Sequence, residues 1–254
     1  QIGRLRHADV LESLNYVFEA VRRTRANLDE AIPLIGFAGA PFTLASYLIE
    51  GGASRVFRRT KTLMFSDPGA WRALMEYLAR HLAVYINGQI DAGAQAVQIF
   101  DSWVGCLSPG MYREFVLPHM KSLFGAIRPG VPVIHFGTGT GQLLELMREA
   151  GGAIIGLDYR VELDHAWERL GARTGVQGNL DPVVLLADLG VIRERACQVL
   201  RQAAGRPGHI FNLGHGVLPE TPPGHAADLV KIVHEDSARQ LAERGRTADS
   251  RAKI

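Results

Sequence analysis

The sequence predicts an α/β fold on a parallel sheet, and it favours a (β/α)8 barrel over a doubly wound sheet. Short apolar runs alternate with amphipathic stretches along the chain, as repeated βα units require. Several of these runs end in a polar or glycine-rich segment, and in both architectures that edge of the sheet carries the ligand site. We expect about six of the eight strands of such a barrel in this chain.

The predicted strands are short, apolar and bounded by proline, glycine or charged residues. They span residues 32–37, 96–101, 131–136, 153–158, 174–179 and 209–213.

Helix start and stop residues lie between these strands. Asp67-Pro68 and Ser108-Pro109 each place a capping side chain before a proline of the first helical turn. Apolar residues repeat at helical spacing over residues 11–24 and again from Trp71 to Tyr85, where the stripe predicts core packing. The polar, basic stretch 244–254 predicts a solvated tail, which leaves one predicted domain over residues 1–243.

The composition is that of an ordinary globular protein. Of 254 residues, 47% are apolar and 21% are charged, and 28 basic against 26 acidic residues give a net charge of +2. That balance argues against a nucleic-acid or membrane-surface partner. Two cysteines without a CxxC pair favour a reducing cytoplasm, and no apolar run approaches the roughly 18 residues of a membrane span.

Two segments at predicted strand ends leave alternatives open. Residues 137–141, Gly-Thr-Gly-Thr-Gly, could cradle an anion, but their spacing is not that of a phosphate loop and favours a tight turn. His135 just before them could bind zinc, yet no thiol lies nearby in the sequence, so we predict no metal site. His215 is placed between glycines, which could expose its imidazole at a strand end.

Five ordered blocks together resemble the uroporphyrinogen decarboxylase family from about residue 3 to about residue 240. The blocks are IGFAGAPFTLASYLIEGG (35–52), DAGAQAVQIFDSWVG (91–105), IIGLDYRV (154–161), QGNLDP (177–182) and NLGHGVLPET (212–221).

This resemblance implies a distorted (β/α)8 barrel as the fold and carboxy-lyase as the activity. It also implies a cytoplasmic enzyme that is usually a homodimer. It implies removal of carbon dioxide from the four acetate arms of uroporphyrinogen III, giving coproporphyrinogen III, with neither a metal nor an organic cofactor. The family's substrate-contacting tyrosine falls on Tyr47, its serine after an acidic residue on Ser102, and its histidine on His215. Phe37 and Phe100 match residues that line the cleft.

The family's stabilising aspartate and its arginine-bearing motif have no match in this sequence. We therefore expect a carboxy-terminal portion of the enzyme, with the main catalytic aspartate and arginine outside it and no activity of its own. Six strands of a barrel would also leave two open sheet edges, so we expect marginal stability or self-association.

Two alternatives remain. A zinc-dependent cobamide or thiol methyltransferase of the same barrel superfamily would need histidine and cysteine ligands, and the NLGHG block favours the decarboxylase. An incomplete barrel could instead serve as a non-enzymatic partner.

Overall fold

The computed structural model describes Leu5, residues 9–52 and residues 54–251, with the side chains of residues 243–251 left out. Within it the chain divides into two compact units, Gln1–Ile155 and Gly156–Ile254. The predicted domain over residues 1–243 stays a prediction, and each unit is described by itself below.

The first unit is built from three parallel strands and the helices that connect them. Its elements are α1 (Val10–Ser13), α2 (Asn15–Asn27), β1 (Ile35–Gly39), α3 (Pro41–Glu50), α4 (Arg58–Ser66), α5 (Pro68–Asp91), β2 (Ala96–Asp101), the 3-10 turn Val104–Cys106, α6 (Pro109–Phe115), α7 (Leu117–Ala126), β3 (Val133–Gly137) and α8 (Leu144–Ala150).

The predicted helix caps form in this unit. The Asp67 carboxylate accepts from the backbone N–H of Ala70 at 2.9 Å, and the Ser108 hydroxyl accepts from that of Met111 at 3.3 Å. The helix α5 buries the predicted stripe from the fully enclosed Trp71 to Leu82 and leaves Tyr85 partly exposed. This packing fixes the helix layer against which β1 and β2 lie.

The second unit contains the shorter strands. β4 (Ile154–Gly156) lies at the division between the units, and then follow α9 (Leu163–Leu170), β5 (Gly175–Gln177), the 3-10 turn Pro182–Leu186, α10 (Leu189–Ala203), β6 (His209–Ile210) and α11 (Pro223–Arg251). The helices α10 and α11 are joined where the buried Asp236 accepts from Arg193 and from the Cys197 thiol, both at 3.1 Å.

In the first unit β2 pairs in parallel with both β1 and β3, and in the second unit β5 pairs in parallel with β6. The predicted α/β class is thereby confirmed. No helix within the described residues is long and apolar enough to cross a membrane.

Two predicted helical boundaries differ from the structure. The segment 11–24 was expected as one helix, but Leu14 leaves the helical conformation (φ −112°, ψ 17°) and separates α1 from α2. The predicted tail begins inside a helix, because α11 continues to Arg251. The last three residues of the predicted tail, 252–254, lie outside the described part of the chain.

Candidate functional site

In the first unit, the sequence blocks 35–52 and 91–105 meet at the carboxyl ends of β1 and β2. The strands pair in parallel with Gly39 opposite Phe100. β2 ends at Asp101, and α3 starts two residues after β1 and carries Thr43 in its first turn. The Thr43 hydroxyl donates to Asp101 Oδ1 at 3.0 Å and accepts from the backbone N–H of Trp103 at 3.3 Å. A side chain of one block is thus bonded to the strand exit of the other.

Asp101 is completely buried at this junction. Burial raises the pKa of its carboxyl to about 7, and the hydrogen bond from Thr43 opposes that rise. The second carboxyl oxygen, Oδ2, has no hydrogen-bond partner among the described residues. Burial and then the charge of Asp101 also raise the pKa of Tyr112 well above its usual value. Burial thus moves the titration of the Asp101 carboxyl toward neutral pH.

Tyr47 and Ser102, two of the predicted substrate contacts, lie on either side of this junction. Tyr47 is 47% exposed, and its ring meets the ring of Trp103 edge-on, with 4.1 Å between the centroids. Ser102 is the partly exposed residue between Asp101 and Trp103. We name Thr43, Tyr47, Asp101, Ser102 and Trp103 the β2 cluster.

The two predicted cleft-lining residues contact each other. Phe37 on β1 and Phe100 on β2 meet edge-on at 6.1 Å, and Phe100 meets Phe136 on β3 at 5.7 Å. Phe37 is 60% exposed, whereas Phe136 is buried. The three rings form a continuous apolar row across the strands of the first unit.

The glycine-rich segment after β3 forms a tight turn. Thr140 is buried and its hydroxyl donates to the carbonyl of Gly137 at 3.2 Å. The turn packs so closely on Gly105 that a Cβ there would lie 2.2 Å from the carbonyl oxygen of Thr138. His135 is completely buried and contacts the ring of Phe124 on α7, with 5.0 Å between centroids, and burial lowers its pKa to about 4. These contacts give the turn and His135 packing roles.

In the second unit, the other three blocks come together. Leu180 of the QGNLDP block forms a parallel bridge with Leu213 of the NLGHG block. The backbone N–H of Gly214 donates to the carbonyl of Leu180 at 2.7 Å. Asn179 donates to the carbonyls of Asp158 and Val161 at 2.9 and 2.7 Å, which joins the third block, 154–161.

The segment after β4 carries a paired charge. Asp158 is buried and Arg160 Nη1 lies 2.6 Å from its Oδ2, with the guanidinium 4.4 Å from the centroid of the Tyr159 ring. The hydrogen bond with Asp158 raises the pKa of Arg160. The pair fixes the conformation of this segment beside the NLGHG block.

His215, the third predicted substrate contact, is exposed in the second unit. Its neighbour Gly214 is buried, and a Cβ at that position would lie 2.3 Å from the backbone nitrogen of Tyr159. Only glycine fits between these two segments without a shift of the backbone. The close contact at Gly214 therefore fixes the position of the backbone from which His215 extends. The expectation that Tyr47, Ser102 and His215 face one mouth stays a prediction.

Comparison with known families accounts for this arrangement. The family model described as uroporphyrinogen decarboxylase (URO-D) matches residues 1–236. The chain belongs to the uroporphyrinogen decarboxylase family.

Curated members of this family are similar over most of the chain. A uroporphyrinogen decarboxylase of Sorangium cellulosum is 55% identical over 234 residues, 92% of this chain and 67% of the relative. Relatives of the same name from Carboxydothermus hydrogenoformans and Thermus thermophilus are each 54% identical over 228 residues, 89% of this chain. The chain spans 65% and 66% of those two relatives, about two thirds of their length.

Solved structures share the fold at lower identity. A methyltransferase from Methanosarcina mazei has a TM-score of 0.78 at 21% identity and covers 90% of this chain and 66% of its own. A B12-independent methionine synthase from Shewanella has a TM-score of 0.62 at 9% identity, over 91% of this chain and 67% of its own. These similarities confirm the fold class.

The structure adds residues that the family motifs alone did not single out. Thr43, Trp103 and Asn179 hold the motif segments together, and Asp101 and Asp158 are their buried carboxyl groups. The sequence offered one indication of this, since Asp101 and Asp158 each follow an apolar strand. Among the described residues, no three His, Cys, Asp or Glu side chains are grouped so that they could hold a metal ion.

Proposed function

We propose that this chain supplies much of the substrate cleft of a uroporphyrinogen decarboxylase. The reaction removes carbon dioxide from the four acetate side chains of uroporphyrinogen III and gives coproporphyrinogen III, without a metal or an organic cofactor. The observation that supports it best is 55% identity with a uroporphyrinogen decarboxylase over 92% of the chain.

The chemistry asks little of a cofactor because the substrate can accept electrons itself. Decarboxylation leaves an electron pair that most enzymes place on a cofactor. A pyrrole protonated at a ring carbon is electron-poor and can take that pair. The protein then needs a proton source, an anion for the developing positive charge, and donors for the substrate's carboxylates.

In this proposal the β2 cluster and the NLGHG block supply polar contacts to the substrate. The hydroxyl of the exposed Tyr47 contacts the reacting pyrrole, and Ser102 and His215 hold carboxylates by hydrogen bonds. Phe37 and Phe100 offer an apolar surface to the ring, and the buried Phe136 packs against Phe100 behind them. The stabilising aspartate and the arginine of the family are not assigned to residues of this chain.

The assembly and location belong to the same proposal. A homodimer is proposed because the family resemblance implies one. The resemblance also implies a cytoplasmic location, and the free thiols of Cys106 and Cys197 fit a reducing compartment.

An anaerobic assay with uroporphyrinogen III tests the function, using protein expressed from its complete coding sequence. We expect release of carbon dioxide with successive loss of four carboxyl groups. Chromatography of the oxidised porphyrins measures this loss. Absence of substrate consumption by folded protein would overturn the proposal. Parallel reactions with a chelator and with added zinc address the methyltransferase alternative, for which inhibition by the chelator and recovery with zinc would be required.

A further inference from the structure

The Thr43 hydroxyl occupies both of its roles as donor and acceptor within the β2 cluster. It donates to Asp101 Oδ1 at 3.0 Å and accepts from the N–H of Trp103 at 3.3 Å. Ser102 is the residue between these two partners. One hydroxyl therefore fixes both flanks of the segment that carries a proposed substrate contact.

The same helix turn connects this hydroxyl to the other contact. Thr43 and Tyr47 are four residues apart on α3, so their side chains lie on one face of the helix. The rings of Tyr47 and Phe57 both contact the Trp103 ring, with 4.1 and 5.2 Å between the centroids. A shift of the strand exit at Trp103 would therefore also move the surface against which Tyr47 packs.

A contribution to stability alone does not explain the carboxyl group in this position. Asp101 is completely buried with one oxygen bonded to Thr43, and the other oxygen lacks a partner within the part of the chain that the structure describes. Burial of a carboxyl group with half of its hydrogen bonds costs free energy. Replacement of a buried polar pair by apolar side chains of similar volume is often neutral or stabilising, so stability does not require this pair.

We propose that Thr43 and Asp101 are a positioning pair that holds Ser102 and Trp103 in register with Tyr47 for substrate binding and turnover. This inference rests on the proposed decarboxylase function. The pair acts through the residues beside it, and neither member is assigned a contact with the substrate.

Variants of the Thr43 hydroxyl test the proposal in protein made from the complete coding sequence. Thr43→Val nearly preserves the volume and removes both hydrogen bonds, so kcat/KM for uroporphyrinogen should fall about tenfold. Thr43→Ser keeps the hydroxyl and should remain within about twofold of wild type. Each assay is run well below the melting temperature of the variant measured.

A double-mutant cycle separates positioning from general destabilisation. If Thr43 acts through the Ser102 segment, Thr43→Val should cost less than about threefold in a Ser102→Ala background. An equal loss in both backgrounds, or an unchanged kcat/KM in Thr43→Val, would overturn the proposal. If Thr43→Val does not fold, Thr43→Ala, which also removes the hydroxyl and both of its hydrogen bonds, takes its place in the cycle with the same expectations.

A spectroscopic measurement keeps this proposal separate from the proposed function. The difference in emission between wild type and Trp103→Phe isolates the Trp103 contribution. Thr43→Val should increase the quenching of that contribution by acrylamide, and Thr43→Ser should not. If the variants show this quenching pattern but the wild-type protein does not consume uroporphyrinogen, the proposed function is overturned. The effect of Thr43 on the packing of Trp103 then still stands. Identical quenching in Thr43→Val and wild type would overturn the positioning pair.

Discussion

At the scale of single residues, Tyr47 is the proposed contact whose removal should affect turnover most. Tyr47→Phe removes one hydroxyl and keeps the ring against Trp103. Because that contact strengthens as charge develops on the pyrrole, kcat should fall about tenfold or more while KM changes little. Steady-state kinetics with uroporphyrinogen, together with the melting temperature, test this. A parallel fall in activity and melting temperature would instead assign Tyr47 to packing.

Ser102 and His215 should affect substrate binding. Ser102→Ala and His215→Ala each remove a donor to a substrate carboxylate, so each should weaken binding by roughly 1–3 kcal/mol, seen mainly in KM. Both side chains have exposed surface, and their loss should leave the melting temperature unchanged. Wild-type kinetics with unchanged melting in both variants would contradict the assignment.

Asp101 should make stability depend on pH in a defined direction. Its pKa is about 7 when folded and about 3.9 in an unfolded chain. The folded state holds the extra proton between these values, so the resulting stabilisation is present below about pH 4 and is lost as the pH rises to about 7. Burial lowers the pKa of His135 to about 4, and its contribution has the opposite sign.

Asp101→Asn isolates this contribution, because that of His135 is common to both proteins. The stability of the variant relative to wild type should rise between about pH 5 and about pH 7, by up to roughly 3 kcal/mol, and then level off. Urea unfolding over this pH range measures the difference. A difference that is constant with pH would show that Asp101 does not titrate there.

The chemistry-bearing residues differed in how far the sequence could predict them. Tyr47, Ser102 and His215 stand in contiguous blocks, so a family resemblance was enough to nominate them. The bond between Thr43 and Asp101 joins residues 58 positions apart and depends on how α3 packs on β2. Burial of Asp101 follows from that same packing, which local sequence does not specify.

At the scale of elements, the strands were predicted more closely than the helix boundaries. β2 was predicted at its observed limits, because residues 96–101 form one apolar run after a glycine-containing turn. The predicted first strand began at Ile32, whereas β1 begins at Ile35, after Pro33, which lacks the N–H that a ladder requires. No proline or glycine lies at the helix break at Leu14, so the apolar periodicity alone predicted one continuous helix.

The contact between the NLGHG block and the segment after β4 gives a prediction at this scale. Gly214→Ala would place a methyl group 2.3 Å from the backbone nitrogen of Tyr159, and backbone cannot yield cheaply. We expect a loss of roughly 1–3 kcal/mol in stability and a raised KM, because His215 moves with the loop. Gly216→Ala is the matched control, since nothing lies within 4 Å of its added Cβ. Equal effects of the two substitutions on stability would contradict the close contact.

At the scale of the whole molecule, the apolar surface at β1 should govern self-association. β1 stands at the end of the strand order and pairs with β2. Its Ile35 and Phe37 side chains are 43% and 60% exposed. The Gln89 side chain already bonds the backbone N–H and carbonyl of Phe37, at 3.0 and 2.9 Å, so the apolar face of β1 is the larger surface left for a second chain. A net charge of +2 gives little repulsion between copies.

The 254-residue chain should therefore associate as its concentration rises, and a charge on β1 should oppose this. Ile35→Lys places a cation on the exposed strand face outside the proposed substrate contacts, and we expect a larger monomer fraction in sedimentation velocity. Val84→Lys is the matched control, because Val84 is also 43% exposed but lies on the helix α5. If β1 is the associating surface, only the first substitution shifts the distribution. An equal shift in both variants would attribute association to net charge, and no shift in either would place it elsewhere on the molecule.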